Sequence, residues 1–308
     1  MPTEAVETVL NRDLSRVAAK KEIATATALL TELVNEGTCV FKRCEASSSG
    51  DLADTPLLML YLHMLEMVDG IQVLVAESCV APAIPLVRSA YEACLSIEYI
   101  LESESERRAL SWLAAHALSG VQVNERFDGT TAEGKKYQTV CAADETTNRI
   151  DFARLAPLAA TKLAEYRSLL GRAEFVPILA ELQRVSTPKG RHPKWFSLFG
   201  GPSNLRELAK RLKSEGQYLT LYGHWSRVSH AEDYARFARR DASADPTIRL
   251  IRDSSQMTEI VGFAASFMLR ATRLVLGKFR PSENIATWYL REVKPFFLPT
   301  GFSPPTVP

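Results

Sequence analysis

The chain has 308 residues, of which 46% are hydrophobic and 24% are charged, so it can bury the core of one large domain or of two small ones. Its 37 Lys and Arg against 36 Asp and Glu leave a formal net charge of +1, which excludes a molecule-wide field that would attract nucleic acid or an anionic membrane. Five cysteines without a CxxC pair indicate reduced thiols in a cytoplasmic protein.

Helical periodicity dominates the chain, and patterns typical of strands are almost absent. A Thr-Pro pair at residues 55–56 and a Ser-Glu-Ser-Glu capping box at residues 103–106 mark two helix starts. Between residues 126 and 148 the pattern fades, which predicts a surface excursion. The predicted helices span residues 3–36, 55–77, 81–102, 103–124, 151–170, 173–185, 203–214, 217–239, 257–279 and 282–293.

These elements predict an all-α fold. We expect a single bundle-like domain of about nine helices over residues 51–295, preceded by a helical segment, residues 1–50, as an appendage. Residues 296–308 form an irregular, proline-rich tail. The two most apolar stretches, residues 57–80 and 260–276, are interrupted by charges, so we expect buried helices and no membrane span.

The motifs of several site classes are absent from the sequence. It contains neither GxxxxGK[ST] nor GxGxxG, the two glycine-rich phosphate-binding loops, and it has no GxSxG nucleophile elbow. It also lacks HExxH and the paired ExxH motifs of di-metal bundles. We therefore expect no metal and no cofactor.

A first polar cluster interrupts the apolar run APAIPLVRSAYEACLSIEYIL. Arg88 and Glu92 are four residues apart in this run, so they share one face of the predicted helix and can pair. One interpretation is an ion pair that binds an anionic group or positions a base. The other is a pair that serves helix packing, because a charge in an apolar helix is costly unless it is paired.

A second cluster lies in the run YLTLYGHWSRVSHAED, residues 218–233. Tyr218, Tyr222, Ser226 and His230 follow one another at intervals of four and form a polar stripe on one helix face, with Arg227 beside it. His230 is then a candidate acid or base, oriented by Ser226 or Tyr222. Alternatively, the stripe is a wet interface between helices in which each polar group has a neighbour as partner.

A third candidate is the loop RHPKWFSLFGG, residues 191–201. Trp195 and Phe196 stand among basic residues, a mixture that nucleic-acid contacts use. The alternative is a loop fixed by its packed aromatic rings, with its charges in solvent.

The residues of the first two clusters carry a resemblance to a bacterial family known as domain of unknown function 5677. The run with Arg88 and Glu92 and the run GQYLTLYGHWSRVSHAEDY resemble that family over about residues 57–279. The resemblance implies an all-α fold with a polar centre between two helices. A looser resemblance is to HEPN helical bundles, whose mark is an arginine followed, after four to six intervening residues, by a histidine on the same helix. Here Arg227 precedes His230 by three residues.

Two functional hypotheses follow. The first is a ligand- or partner-binding module, in a bacterial defence or stress context, with Arg88, Glu92, Tyr218, Tyr222 and Trp195 as binding residues. The second is a metal-independent HEPN-like ribonuclease or toxin of a toxin–antitoxin or phage-defence system. In the second, His230 is the general acid/base with Ser226 beside it, Arg88 or Arg227 stabilises the phosphorane charge, and Glu92 orients the arginine. A homodimer, a protein partner or RNA are the expected partners.

Overall fold

The computed structural model describes residues 20–186, 193–225 and 256–297, together with residues 17, 252 and 254 and the backbone of residues 238–239 and 247–248. The described part of the chain is 81% helical and contains eleven helices, which confirms the predicted all-α fold and comes close to the expected nine. Most of the proline-rich tail, residues 298–308, lies outside the described residues.

The helices follow one another with short 3₁₀ turns between them. They are α1 (Lys20–Ser47), α2 (Thr55–Ala76), α3 (Ile84–Glu102), α4 (Ser105–Glu125), α5 (Ala132–Ala142), α6 (Phe152–Leu170), α7 (Val176–Val185), α8 (Leu205–Arg211), α9 (Glu215–Tyr218), α10 (Met257–Phe279) and α11 (Ala286–Trp288). The chain continues from α9 as a π-helix, Leu219–His224, and from α11 as a π-helix, Tyr289–Val293, and a helical turn, Lys294–Phe297. The 3₁₀ turns are Ala81–Ala83, Thr147–Arg149, Ala173–Phe175 and Trp195–Gly200. Two short strands, β1 (Ala238–Arg239) and β2 (Thr247–Ile248), pair antiparallel with Ala238 opposite Ile248.

The chain divides into two compact units. The first unit comprises residues 1–103 and 209–308, and the second comprises residues 104–208. The domain limits predicted at residues 50 and 295 stay predictions.

The first unit is built around α1, α2, α3 and α10. Its core is apolar, and the hydroxyl groups of Tyr61 and Thr272 form a buried hydrogen bond of 2.8 Å within it. Gly37 lets α1 approach closely, because a Cβ at this position would lie 2.3 Å from a Met268 methyl carbon and 2.6 Å from a Leu65 methyl carbon. The N-terminal helix α1 is therefore packed into the core of this unit.

The second unit contains α4 to α7, and α4 pairs with α6. Helix α5 was not predicted, because its apolar pattern is weak. An N-cap marks its start nevertheless. The Thr131 hydroxyl accepts a hydrogen bond of 2.9 Å from the Gly134 N–H and so caps the first turn. Tyr137 then packs edge-on against Phe127 and Phe152, at centroid distances of 5.8 and 6.0 Å. A cap and an aromatic cluster thus order a segment that the helical pattern alone did not reveal.

Two helices in the described part of the chain, α2 and α10, are long and apolar enough to cross a membrane by length and composition alone. In α10 the most apolar stretch is 67% buried within the protein, and in α2 it is 39% buried. Because core helices satisfy the same criterion, neither helix indicates a membrane.

Candidate functional site

Four of the predicted binding residues lie in the first unit, on two neighbouring segments. Arg88 and Glu92 are on α3, and Tyr218 and Tyr222 are at the end of α9 and in the π-helix that follows it. The predicted catalytic residues Ser226, Arg227 and His230 lie outside the described residues, so their roles stay predictions.

Tyr222 contacts both Arg88 and Glu92, the two residues predicted to pair. The guanidinium carbon of Arg88 lies 4.2 Å from the centroid of the Tyr222 ring, a cation–π contact. The Tyr222 hydroxyl donates a hydrogen bond to a carboxylate oxygen of Glu92. The Tyr218 ring stacks on the Tyr222 ring, with a centroid distance of 4.7 Å and an interplanar angle of 9°. We call these four residues the Tyr–Arg–Glu cluster.

The electrostatics of the cluster keep the Tyr222 phenol protonated. Burial raises the pKa of Tyr222 above its ordinary value, and the hydrogen bond to the Glu92 carboxylate raises it further, while Arg88 has the opposite effect. A protonated phenol can donate to the carboxylate, whereas a phenolate would repel it. Tyr222 therefore acts at neutral pH as a hydrogen-bond donor.

The cluster lies at the surface. Glu92 is exposed, and Arg88, Tyr218 and Tyr222 are half-buried. Arg88 and Glu92 meet through Tyr222, and the cluster is therefore no desolvated core pair. Its carboxylate remains hydrated, and its aromatic and guanidinium planes are open in part to an approaching molecule.

The π-helix Leu219–His224 contributes side chains both to the core and to the cluster. Its wide i→i+5 turns carry Leu221, and the following Trp225, into the core, where both are fully buried. The Trp225 ring packs edge-on against Phe263 at 5.6 Å. With that face anchored, Tyr218 and Tyr222 remain available to meet α3. π-helical turns are frequent at functional sites because they displace side chains from regular α-helical positions.

Two contacts that the sequence analysis missed hold α3 in place. The Tyr91 hydroxyl donates a hydrogen bond of 3.0 Å to the Ser214 carbonyl oxygen and so ties α3 to the turn before α9. On the other side, His63 of α2 and Ser89 are hydrogen-bonded at 2.8 Å. Ser89 and Tyr91 lie between Arg88 and Glu92 in the sequence, but their partners are distant along the chain, so spacing could not reveal them.

Trp195, the remaining predicted binding residue, lies in the second unit. Its ring packs edge-on against Phe196, with 5.7 Å between the centroids. The same 3₁₀ turn contains Phe199 at a φ of +55°, a conformation that non-glycine residues rarely adopt. The Phe199 N–H donates a hydrogen bond of 2.9 Å to the buried carboxylate of Glu181, which fixes this conformation. Packed aromatic rings thus stabilise the loop, as one of the two interpretations expected.

Among the residues that the structure describes, no group of three or more His, Cys, Asp or Glu side chains is arranged to hold a metal ion. The five cysteines are all free thiols.

Comparison with known protein families identifies one that matches this chain. The family model that describes a family of unknown function, DUF5677, matches residues 54–243, which is more than half of the chain. The matched segment contains α2, α3 and all four residues of the Tyr–Arg–Glu cluster. No curated protein and no solved structure matches the chain. The chain belongs to the DUF5677 family.

Proposed function

We propose that the chain is a non-enzymatic helical binding module and that the Tyr–Arg–Glu cluster is its recognition surface. The observation that carries the proposal is the arrangement around Tyr222, which contacts Arg88 with its ring and Glu92 with its hydroxyl while Tyr218 stacks on it.

Residue chemistry supports binding at this surface. Tyrosine and arginine are the residue types that dominate the energetic centres of protein interfaces, because they bring a large contact area and directional donors. The cluster offers two aromatic rings, a guanidinium and an exposed carboxylate within one patch. It can therefore take a partner that presents both apolar area and hydrogen-bonding groups.

The side chains of the cluster are preorganised, which also supports binding at this surface. Each of the three side chains Arg88, Tyr218 and Tyr222 is already held by a neighbour, so little rotamer freedom is lost when a partner docks. Below them, the fully buried Trp225 anchors the segment to the core. A rigid, half-exposed aromatic patch is typical of recognition surfaces.

Native mass spectrometry of the purified chain, beside its denatured mass, tests the proposal. We expect a bound species or a defined assembly in the wild type, and its loss in Arg88→Ala and Tyr218→Ala. Arg172→Ala is the matched control, because Arg172 forms an exposed ion pair of 2.8 Å with Glu174 in the second unit. A bound species that persists equally in all three variants, or its complete absence, would contradict the proposal.

The second candidate is the HEPN-like ribonuclease or toxin. One observation favours it: the half-buried Arg88 contacts Tyr222, four residues before Ser226 in the segment that leads to His230. In this proposal His230 is the general acid/base, Arg227 or Arg88 stabilises the charge of the phosphorane, and the protein acts in bacterial defence.

His230→Ala distinguishes the two candidates. A ribonuclease would keep its melting temperature and lose RNA cleavage and toxicity in this variant. A binding module would show no RNA cleavage in either form. Wild-type levels of RNA cleavage by His230→Ala would rule out His230 as the catalytic residue.

A further inference from the structure

A cavity separate from the Tyr–Arg–Glu cluster opens farther along α3 in the first unit. Its volume is about 290 Å³. That is near the lower end of the range of about 300–1,000 Å³ typical of small-molecule pockets. The lining residues come from the end of α3, from the turn after α8 and from α10: Glu98, Leu101, Glu102, Arg211, Leu212, Lys213 and Leu274.

The two carboxylates of the cavity are already neutralised. Arg211 holds Glu102 with two nitrogens, Nε at 2.9 Å and Nη2 at 2.8 Å from the same carboxylate oxygen. Arg270 of α10 donates a hydrogen bond to Glu98. Arg211 also lies over the Tyr99 ring, 5.3 Å from its centroid, so its position is fixed from two sides.

Lys213 carries the charge that remains. Within the part of the chain that the structure describes, its ammonium group forms no ion pair, while both arginines have carboxylate partners. The cavity therefore has one uncompensated positive charge beside an apolar wall of Leu101, Leu212 and Leu274.

The backbone at Lys213 makes this side chain unusual. Helix α8 ends in a Schellman motif, in which the Ser214 N–H donates to the Ala209 carbonyl at 2.7 Å and the Lys213 N–H to the Lys210 carbonyl at 3.0 Å. Lys213 occupies the left-handed position of the motif with a φ of +56°. Glycine is the favoured residue there, because it has no Cβ to strain the backbone. A lysine at this position is less favourable for the fold, which points to a use for its side chain.

We propose that this cavity binds a small organic monoanion, with a carboxylate on the Lys213 ammonium group and an apolar body against the three leucines. A carboxylate satisfies the unpaired charge through a charge-assisted hydrogen bond. The apolar wall favours a ligand with a short hydrocarbon chain. Among the lining residues that the structure describes, a dianion would find no second unpaired cation, and a cation would be repelled by Lys213.

Ligand-observed NMR on the full chain, at low ionic strength, tests the proposal with hexanoate as the probe and hexanol as its uncharged analogue. We expect the wild type to bind hexanoate at least about tenfold more tightly than hexanol, because a hydrogen bond to a charged group contributes that much. Lys213→Gly and Lys213→Gln should each lose this preference. Lys210→Gln is the control, since it removes one charge from α8 without touching the cavity lining.

The melting temperature separates this role from a structural one. Lys213→Gly should melt at or above the wild-type temperature, because glycine relieves the left-handed backbone, while it loses hexanoate binding. Unchanged binding by Lys213→Gly, equal binding of hexanol, or no binding by the wild type would each overturn the proposal. Arg88→Ala should bind hexanoate like the wild type, so the result is independent of the recognition surface.

Discussion

Tyr222 is the residue on which the candidate recognition surface depends. Its ring and its hydroxyl contact two side chains that lie 134 and 130 positions away in the sequence, Arg88 and Glu92. The i,i+4 spacing predicted that Arg88 and Glu92 share a helix face, and the structure shows how an aromatic side chain spans the two. Partial exposure of the cluster sets the size of the effects expected from mutation.

At the residue scale, Arg88→Ala should lower the free energy of unfolding by about 1 kcal/mol, because a cation–π contact and some packing are lost. A loss of about 3–5 kcal/mol would be expected for a fully buried ion pair, but Glu92 is exposed and stays hydrated when Arg88 is removed. Urea denaturation measures the difference. A loss above about 3 kcal/mol would show that the cluster is desolvated in solution.

The buried phenol of Tyr91 should make the free energy of unfolding depend on pH above about pH 10. Burial raises the pKa of its phenol to about 12, and the hydrogen bond to Ser214 works against that rise. A raised pKa means that the stability contributed by the neutral phenol is fully present below its ordinary pKa of about 10 and is lost as the pH rises towards 12. Phenylalanine cannot ionise, so the comparison with Tyr91→Phe isolates this effect.

Tyr91→Phe should be less stable than the wild type at pH 8 by about 1 kcal/mol, because the hydrogen bond to the Ser214 carbonyl is lost. Between pH 10 and pH 11.5 this difference should shrink and then reverse, since only the wild type carries an ionisable phenol. Urea denaturation at both ends of the range provides the measurement. A constant difference would mean that Tyr91 ionises equally in the folded and unfolded chain.

At the scale of single elements, turns and caps determine where helices occur. The Thr-Pro pair predicted the start of α2 correctly, at Thr55. Helix α5 was missed because its pattern is weak, although Thr131 is a favourable cap residue. The π-helix after α9 is not predicted by the helical pattern, which does not distinguish it from a regular α-helix; Leu221 and the following Trp225 are fully buried.

Gly134→Ala should destabilise α5. A Cβ at Gly134 would lie 1.9 Å from the Asp128 carbonyl oxygen, and the backbone cannot yield as a flexible side chain does. We expect a cost of about 1–3 kcal/mol, despite the higher helix propensity of alanine. This destabilisation should appear as faster amide hydrogen exchange in α5, measured by mass spectrometry.

Gly216→Ala is the matched control for this substitution. A Cβ at Gly216 meets no atom within 4 Å, so alanine should leave hydrogen exchange unchanged or slow it slightly. Equal effects of the two substitutions would show that the contact with Asp128 does not limit α5.

At the scale of the whole molecule, α2 exposes a face on which apolar side chains lie beside the acidic side chains Glu66 and Asp69. Met59, Leu62 and Val73 lie on one side of the helix and are 39%, 43% and 53% exposed. Exposed apolar side chains that share a face are typical of an association surface. This observation supports the proposal of a homodimer, in which the same face of two copies would meet.

Leu62→Glu should shift such a dimer to monomer, because it adds a charge beside the acidic side chains Glu66 and Asp69 on the same face. Light scattering across a concentration series measures the assembly. Leu158→Glu is the control, since Leu158 is 63% exposed on α6 of the second unit. A wild type that stays monomeric at all concentrations would contradict the homodimer.

The sequence by itself determined the helical class, most helix starts and the residue types of the candidate surface, because periodicity and capping act over a few neighbouring residues. Arg88 and Glu92, and likewise Tyr218 and Tyr222, were paired by helical spacing alone. Only the tertiary structure decided that these two pairs meet and that the cavity keeps one unpaired charge at Lys213. Contacts between residues distant in the chain depend on how whole helices pack, and local patterns do not encode that packing.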